Sequence, residues 1–342
     1  MISVEHLTKC YGDFTAVKDL SFEIDEGHVY GFLGPNGAGK TTTMNIMTGC
    51  LSATKGRVRI DGHDIFEEPN QAKKLIGYLP EQPPLYMTET PAEYLQFVGE
   101  AKGLRGAALR RQVADVMEQT KIEEVRNRRI SALSKGYKQR VGIAQALLGN
   151  PKVIILDEPT VGLDPIQIIE IRTLIRELGK THTVIFSSHI LSEVQTICDQ
   201  ILIIAKGKLI AFDGPQKLER QLLAPGEIVI TADMAEEKIK EILAETEHIA
   251  EIAVETKDTG LTVAHLRTDH DRIYEVSGSI FSAFAAKGEI LLEMTLKKAN
   301  LEDVFIELTE SNMDTETEGE RTEKVAEITK KGPMTDKGAD ET

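Results

Sequence analysis

A glycine-rich run near the N-terminus has the residue types and spacing of a phosphate-binding loop. The pattern Gly, four residues, Gly-Lys-Thr is the P-loop, whose backbone N–H groups face the phosphates of a nucleoside triphosphate. Its lysine is expected to reach the β- and γ-phosphates, and its first threonine hydroxyl to bind Mg²⁺. The run comprises Gly34, Pro35, Asn36, Gly37, Ala38, Gly39, Lys40, Thr41 and Thr42. We therefore expect this chain to bind a nucleoside triphosphate.

Two elements must hold such a loop in place, a buried strand before it and a helix after it. The apolar run Val29-Tyr30-Gly31-Phe32-Leu33 is typical of the strand, and Thr43-Met44-Asn45-Ile46-Met47 is typical of the start of the helix. The helix N-terminus adds a partial positive charge that favours phosphate. These flanks disfavour the alternative, a glycine-rich turn that resembles the P-loop by chance.

Two adjacent carboxylates follow a second predicted strand. Val153-Ile154-Ile155-Leu156 is short and apolar, and Asp157 and Glu158 come directly after it. A carboxylate at this place holds Mg²⁺ through water, beside the P-loop threonine. Asp157 is the candidate for that role, and Glu158 suits the polarisation of a water molecule that attacks the γ-phosphate. The alternative is an acidic turn after a strand.

Two further sites combine a polar side chain with the end of a predicted element. Ser134 and Gly136 open a helix whose apolar residues recur from Val141 onward, so a hydroxyl and free N–H groups could hold an anion there. An ordinary serine N-cap is the alternative. His189 follows the strand Thr183-Val184-Ile185-Phe186, at the carboxyl end where α/β proteins bind ligands. A hydrogen-bonded core histidine is the alternative there.

Together, and in their order along the chain, these motifs resemble those of the ATP-binding subunits of ATP-binding cassette (ABC) transporters. The resemblance covers about residues 2–230. Leu133-Ser134-Lys135-Gly136-Tyr137 is similar to the signature segment, and His189 to the switch histidine. Gln82, in Tyr78-Leu79-Pro80-Glu81-Gln82-Pro83-Pro84, is similar to the Q-loop glutamine, and Asp164, in Gly162-Leu163-Asp164-Pro165, to the D-loop aspartate. Tyr11 stands where the family stacks an aromatic ring on adenine. A surface aromatic at Tyr11 and a plain loop amide at Gln82 are the alternatives.

The signature segment departs from the usual family pattern at two positions. Lys135 and Tyr137 stand where the family has Gly and Gln. Such variants resemble the ABC-2 branch, which includes multidrug, antibiotic-resistance and gliding-motility exporters, and so does the C-terminal run Leu301-Glu302-Asp303-Val304-Phe305-Ile306-Glu307-Leu308. Ser134 and Gly136, the γ-phosphate contacts of the family, remain. The change therefore affects the side-chain contacts of the signature more than the ATPase itself.

The resemblance implies a fold as well as a site. Residues 1–214 would form an α/β P-loop NTPase, an ABC ATPase with a RecA-like core, an antiparallel β subdomain and an inserted helical subdomain at about residues 88–148. Residues 215–225 would be a linker. The pattern β-α-β-β-α-β from Gly226 predicts a small ferredoxin-like α+β domain over 226–310, which ends in a helix from Asn300. The acidic tail, 311–342, has few apolar residues and is expected to be disordered.

Composition narrows the class of partner. A net charge of −15 disfavours a general nucleic-acid grip, which needs a basic surface. Cys10, Cys50 and Cys198 form no CxxC pair, so neither a zinc site nor a disulfide framework is indicated, and a reducing cytosol fits best. No apolar run approaches the roughly 18–20 residues of a membrane helix, and the N-terminus lacks a signal-peptide pattern. Any membrane role is therefore expected to be peripheral, on the cytoplasmic side.

By this resemblance the chain would be an ATPase subunit that powers transport, with export the expected direction, through a separate integral membrane permease. Two ABC subunits, identical or different, would pair head to tail and hold ATP and Mg²⁺ between them. The implied catalytic residues are Glu158, His189 and Gln82, the metal-binding residues are Thr41, Gln82 and Asp157, and the nucleotide-binding residues are the P-loop with Tyr11, Ser134, Gly136 and Asp164. The segment from Gln82 to Met87, with the inserted helices, would form the permease docking groove.

Two other functions agree less well with the sequence. A soluble ABC-type ATPase acting on ribosomes or DNA is disfavoured, because translation-factor members usually carry two cassettes and DNA-repair members insert coiled coils or zinc modules. This sequence has a single P-loop and neither insertion. A GTPase or small-molecule kinase is disfavoured by the absence of a guanine-reading NKxD, and it leaves the signature segment unexplained.

Overall fold

The computed structural model describes residues 1–222, 226–244, 246–257, 260–269 and 272–297. The chain divides into two compact units, Met1–Gln221 and Leu222–Thr342. Within the described ranges, no helix has both the length and the apolar composition that crossing a membrane requires. The predicted helix from Asn300 and the tail at 311–342 lie outside the described residues.

Strands and helices alternate along the first unit. Its strands are β1 (Ile2–Tyr11), β2 (Phe14–Ile24), β3 (Val29–Leu33), β4 (Lys55–Ile60), β5 (His63–Asp64), β6 (Ile76–Leu79), β7 (Val153–Leu156), β8 (Thr183–Ser188), β9 (Gln200–Ala205) and β10 (Lys208–Asp213). The helices up to residue 222 are α1 (Lys40–Met47), α2 (Pro69–Lys74), α3 (Pro91–Ala101), α4 (Gly106–Gln119), α5 (Lys135–Leu147), α6 (Pro165–Leu178), α7 (Leu191–Ile197) and α8 (Pro215–Leu222), with 3-10 turns at Glu123–Val125 and Ile130–Ala132. This alternation confirms the expected α/β class.

The central sheet brings the predicted motifs to one edge. Its strand order is β10-β9-β3-β8-β7-β6. Strand β3 is parallel to β8 and β9, and β7 is parallel to β6 and β8, whereas β10 is antiparallel to β9. Strands β3, β7 and β8 are buried along their whole length, as their apolar runs predict. Because parallel strands end at the same edge, the segments that follow β3, β7 and β8 emerge side by side.

A second sheet of the first unit fixes the β1–β2 hairpin beside the P-loop. Its order is β2-β1-β4-β5, and Tyr11 lies opposite Phe14 at the hairpin end. Apolar side chains from β1, β2 and β4 pack with those of β3 and α1 in one core. Within it, the rings of Phe22 and Phe32 meet edge to face with their centroids 5.5 Å apart. This core ties the hairpin to the strand that carries the P-loop.

A helical segment separates β6 from β7. Helix α3 begins after Thr90, whose hydroxyl accepts a hydrogen bond from Glu93 N at 3.3 Å, while Glu93 Oε2 accepts one from Thr90 N at 2.9 Å. This reciprocal capping box explains why the helix starts after the proline-rich loop. Helix α4 buries Leu109, Val113, Val116 and Met117, which lie three or four residues apart from one turn to the next and so share one face of the helix. The helices of this segment run from Pro91 to Leu147, where the sequence predicted a subdomain at about 88–148.

The second unit has the element order β-α-β-β-α-β. The elements are β11 (Gly226–Ala232), α9 (Glu236–Leu243), β12 (Ile249–Thr256), β13 (Thr262–Thr268), α10 (Ile273–Ala286) and β14 (Leu291–Lys297). The sheet order is β12-β13-β11-β14, and each neighbouring pair of strands is antiparallel. Ile239, Ile242, Val276, Ile280 and Phe284 from the helices pack on Ile228, Ile230 and Leu266. This is the ferredoxin-like arrangement that the sequence pattern predicted.

Candidate functional site

The P-loop has a backbone that requires glycine. Gly37 and Gly39 have φ angles of 83° and 100°, in the left-handed region that glycine adopts without strain. A Cβ at Gly39 would lie 2.6 Å from the carbonyl oxygen of Ala16. Helix α1 begins directly after Gly39, at Lys40. The loop therefore ends on a helix N-terminus, where N–H groups without helical partners favour an anion.

Lys40 is buried, and its ammonium group has three oxygen partners. Its Nζ donates to the carbonyl oxygens of Gly34 at 2.8 Å and Pro35 at 3.3 Å, and it lies 3.3 Å from Glu158 Oε1. The side chains of Lys40 and Glu158 are 6% and 8% exposed. A buried ammonium group needs such partners. Phosphate oxygens offer the same kind of partner, so the lysine can exchange the carboxylate for a phosphate and remain satisfied.

Asp157 joins the ends of β7 and β8 to the start of α1. Its Oδ1 accepts hydrogen bonds from Ser187 Oγ at 2.6 Å and from Thr41 Oγ1 at 3.2 Å. The Ser187 hydroxyl in turn accepts a hydrogen bond from Glu158 N at 2.7 Å. Burial raises the pKa of Asp157, and the hydrogen bonds from Ser187 and Thr41 oppose that rise. The sequence motif pointed to Asp157 and Thr41 but gave no role to Ser187.

The Asp157 cluster has the chemistry of a Mg²⁺ site. Asp157 Oδ2 is buried and has no hydrogen-bond partner among the described residues. A buried carboxylate oxygen without a partner beside a threonine hydroxyl is suited to a hydrated Mg²⁺. No group of three or more His, Cys, Asp or Glu residues in the described part of the chain could cage a metal ion. Mg²⁺ commonly uses one or two carboxylates together with substrate phosphates and water, so these residues fit the ion.

Glu158 and His189 form a pair at the same sheet edge. Glu158 Oε2 lies 3.0 Å from His189 Nδ1, and the histidine side chain is 41% exposed. Glu158 has φ 46°, a left-handed backbone that is uncommon for residues other than Gly, Asn and Asp. The arrangement leaves a carboxylate next to the P-loop lysine and a histidine at the cavity wall. Such a carboxylate can accept a proton from water, and the histidine can fix its direction.

Part of the predicted set lines one cavity of about 430 Å³. The P-loop residues from Asn36 to Thr42 line it, and so do Tyr11, Glu158 and His189, together with Phe14, Ala16, Glu81 and Val161. Tyr11 and Phe14 are 49% and 64% exposed, so two ring faces are available at the mouth. Phe14 could have been predicted from its position opposite Tyr11 in a hairpin, whereas Glu81 and Val161 carry no sequence signal. Gln82 is exposed and is not among the residues that line this cavity.

Ser134, Gly136 and Asp164 lie outside the P-loop cavity. Ser134 and Gly136 line a second cavity of about 230 Å³, with Gln167 on its wall. Ser134 is the N-cap of α5, and its hydroxyl accepts a hydrogen bond from Tyr137 N at 3.4 Å. Asp164 is the N-cap of α6, and its Oδ1 accepts one from Gln167 N at 2.9 Å. The capping function is therefore real at both helices, and each cap leaves a helix N-terminus near the surface.

Comparison with known proteins places these motifs in a family. Residues 17–161 match the ABC transporter family. The chain is 32% identical over 310 residues to the linearmycin resistance ATP-binding protein of Bacillus subtilis. This alignment covers 90% of this chain and 98% of that protein. The chain is also 31% identical over 318 residues to the Nod factor export ATP-binding protein I of Ralstonia nicotianae. That alignment covers 92% of this chain and 95% of the relative.

A solved structure agrees with these sequence relatives. The dimeric post-hydrolysis state of an ATP-binding cassette bound to ADP and Pi is similar with a TM-score of 0.57 and 27% identity, over 63% of this chain and 98% of that one. The motif-based resemblance is confirmed, and the alternative of an ATPase acting on ribosomes or DNA is not favoured. The chain belongs to the ABC transporter family, in which it is an ATP-binding subunit that hydrolyses ATP to ADP and phosphate.

Proposed function

We propose that this chain is one half of a head-to-tail pair of ABC subunits that powers export through a separate membrane permease. The observation that carries the proposal is the division of the nucleotide residues between two cavities. Lys40 and Thr41 line one cavity, and Ser134 and Gly136 line the other. Each cavity contains the N-terminus of a helix, α1 or α5, that can accept phosphate. A nucleotide held between two subunits would use both sets of groups at once.

Five side chains at or beside the P-loop cavity then have distinct roles in hydrolysis. Lys40 exchanges Glu158 for phosphate oxygens of ATP. Thr41 Oγ1 and the Asp157 carboxylate would hold Mg²⁺, which would neutralise phosphate charge. Glu158 accepts the proton of the attacking water. His189 Nδ1 lies 3.0 Å from Glu158 Oε2 and orients the carboxylate. The base, the histidine and the candidate metal ligands thus follow the carboxyl ends of the neighbouring strands β3, β7 and β8.

The remaining predicted residues complete the site on this proposal. Tyr11 stacks on adenine at the mouth of the cavity, where a planar base can cover an exposed ring. Ser134, Gly136 and Asp164 contact the nucleotide bound to the other subunit. Gln82 is exposed and outside the cavity wall, so it would contact Mg²⁺ and the γ-phosphate if its loop moved toward the cavity. The loop position would therefore depend on the nucleotide state.

A mixing experiment tests the two-subunit site. Lys40→Ala damages the P-loop, and Ser134→Arg fills the second cavity, so each variant alone should lose ATPase activity. In a mixed dimer, the P-loop of the Ser134→Arg chain meets the intact signature of the Lys40→Ala chain. An equal mixture should recover up to about a quarter of the parental rate, since about half of the dimers are mixed and each has one intact site.

The matched control places both substitutions in one chain. Lys40→Ala mixed with the double variant Lys40→Ala/Ser134→Arg leaves no intact pair of half-sites, so it should show no recovery. Light scattering with ATP bound would verify that the mixed chains associate. Dimers that form and yet recover no activity would contradict a shared site, as would ATPase activity in Ser134→Arg alone.

The permease docking surface is proposed at the exposed loop after β6 and the first inserted helix. Tyr86, Met87 and Phe97 are 50%, 46% and 51% exposed, although each is large and apolar. The ring centroid of Tyr86 lies 5.3 Å from that of Phe97 and 5.6 Å from that of Tyr94. An exposed aromatic cluster of this kind is typical of an interaction site. Its loop also contains Gln82, so nucleotide binding and docking would act on the same segment.

Co-purification tests this docking surface. Tyr86→Ser with Phe97→Ser should abolish recovery of a membrane permease in mild detergent, while the purified chain still binds ATP. Phe281→Ser, at an exposed ring of the second unit, is the control for loss of a surface aromatic. Unchanged permease recovery with the Tyr86/Phe97 variant would exclude this surface.

Location and direction follow from the same proposal. The chain would lie on the cytoplasmic face of the membrane, held there by the permease, and the relatives named for resistance and export favour outward transport. Cell fractionation should recover the chain with membranes when the permease is present and release it when the permease gene is deleted. Inside-out vesicles that accumulate the permease substrate on addition of ATP would show export, and vesicles that lose it would contradict export.

A further inference from the structure

A buried carboxylate next to the candidate catalytic residues has no part in the chemistry above. Glu193, on α7, is 1% exposed. Its Oε2 accepts hydrogen bonds from Thr160 Oγ1 at 2.8 Å and from Ser188 Oγ at 2.9 Å. Its Oε1 lies 3.2 Å from Arg172 Nη2. One carboxylate therefore joins three segments of the chain that are separate in sequence.

The two hydroxyl partners belong to the segments that carry the candidate catalytic pair. Thr160 lies two residues after Glu158, and Ser188 directly precedes His189. Ser188 Oγ also accepts a hydrogen bond from Ile190 N at 3.0 Å, so this hydroxyl fixes both sides of the turn that contains the histidine. Both hydroxyl residues are buried. Their orientation is therefore set by the carboxylate and not by water.

The arginine partner connects the carboxylate to helix α6. Arg172 is on α6, which begins after its N-cap Asp164. The ion pair is incomplete, because Arg172 Nε and Glu193 Oε1 are buried and make no hydrogen bond within the described residues. An arginine and a carboxylate tend to form two parallel hydrogen bonds. A small shift of α6 would complete or break that pair of hydrogen bonds, so the orientation of the Glu193 carboxylate depends on the position of α6.

We propose that Glu193 is a positioning residue for ATP hydrolysis. It fixes the segments around Thr160 and Ser188, and through them the relative placement of Glu158 and His189. Its ion pair makes that placement depend on α6, the helix that starts at the D-loop segment. This inference rests on the proposed roles of Glu158 and His189.

A purely structural role is the alternative, since a buried ion pair broken on one side destabilises a protein. The two roles differ in what they change. Glu193 does not line the P-loop cavity, so its loss should leave ATP binding intact. Misplacement of the catalytic pair should instead lower kcat, and only while that pair is present.

A double-mutant cycle separates the two roles. In the full-length chain, Glu193→Gln should lower kcat by about tenfold to hundredfold, the scale that misplacement of a catalytic group costs, and change the KM for ATP by less than about twofold. In a His189→Ala background, measured in single turnover, the same substitution should change the rate by less than about twofold, because the positioned group is gone. Glu177→Gln, at an exposed carboxylate on α6, should change neither rate.

A second pair of variants covers the case in which Glu193→Gln does not fold. Thr160→Val removes the hydroxyl at nearly constant volume and should lower kcat by about fivefold or more, whereas Thr160→Ser keeps the hydroxyl and should retain kcat within about twofold. Equal rate factors in both backgrounds, or a lower Tm with normal kcat, would leave Glu193 with a structural role only. Parental hydrolysis by His189→Ala would instead contradict the proposed function of the histidine, so the two failures are distinguishable.

Discussion

Replacement of Glu158 by glutamine should separate ATP binding from ATP hydrolysis. Gln has the same size and can still bond to His189, but it cannot accept the proton of the attacking water. General-base catalysis contributes about 10²- to 10⁴-fold, so single-turnover hydrolysis should fall by that factor, or by about 3–5 kcal/mol in the barrier. The loss should occur with the fold intact, because the side chain is almost fully buried and its shape is conserved.

The same substitution should leave ATP affinity unchanged or increase it. The Glu158 carboxylate lies 3.3 Å from Lys40 Nζ, the group that the phosphates must engage. At an effective dielectric constant of about 20, unit charges at this distance attract by about 5 kcal/mol before desolvation is counted. Removing this competitor also removes a negative charge near the phosphates. We expect the Kd for MgATP to be between equal and about tenfold lower, since desolvation cancels most of the gross attraction.

The assay combines fluorescent-nucleotide titration with single-turnover hydrolysis of labelled ATP. Glu81→Gln is the control, because Glu81 is the other carboxylate on the cavity wall, whereas Glu158 is the one in contact with Lys40 and His189. It should change hydrolysis by less than about threefold, in line with a through-space effect at a solvated site. Hydrolysis by Glu158→Gln within about threefold of the parent would refute the assignment of the base. Loss of binding together with hydrolysis would show that the carboxylate is needed for the loop itself.

Three further predictions concern the metal site, the P-loop backbone and the contact of Tyr11 with adenine. Burial raises the pKa of Asp157, so ionisation of this carboxyl group lowers the stability of the fold as the pH rises through that pKa. Asp157→Asn should therefore raise the Tm at pH 7, by about 2–4 °C for each kcal/mol of stability gained. In calorimetry that gain should shrink as the pH is lowered toward the ordinary range of aspartate, and Mg²⁺-dependent hydrolysis should be lost. In urea unfolding, Gly39→Ala should lower the free energy of unfolding more than Gly37→Ala. Both substitutions strain the backbone by about 1–3 kcal/mol, but only the Cβ at position 39 collides with Ala16 O. Equal losses of stability would contradict this close approach. Tyr11→Ala should weaken ATP binding by about 5- to 30-fold and Tyr11→Phe should not, in isothermal titration, if the ring stacks on adenine.

The P-loop and the Asp157 cluster were predictable because their information is local. A strand, a glycine turn and a helix start are encoded within a few residues, and parallel strand ends meet at one edge of the sheet. The contact of Thr41 with Asp157 at 3.2 Å follows from that geometry. The element order of the second unit was predictable for the same reason, since its alternating and helical patterns are separated by clear turns.

The contacts that depend on strand register and helix docking were not predictable. Ser187 donates to Asp157 because β8 pairs with β7 so that Leu156 lies opposite Phe186, and no local pattern specifies that register. Glu193 meets Thr160 only after α7 has packed beside the sheet. No local sequence pattern distinguishes this buried glutamate from an exposed one.

The left-handed backbone of Glu158 has a consequence for laboratory evolution. With φ at 46°, Asn or Gly would adopt this conformation with about 1 kcal/mol less strain, but the Asn amide is not a base at neutral pH and Gly has no side chain. A screen that rewards only heat resistance or soluble yield should therefore enrich Asn or Gly at this position. The enriched proteins would fold well and perform no turnover, so a library built on this scaffold needs a selection for work done as well as for survival of the fold.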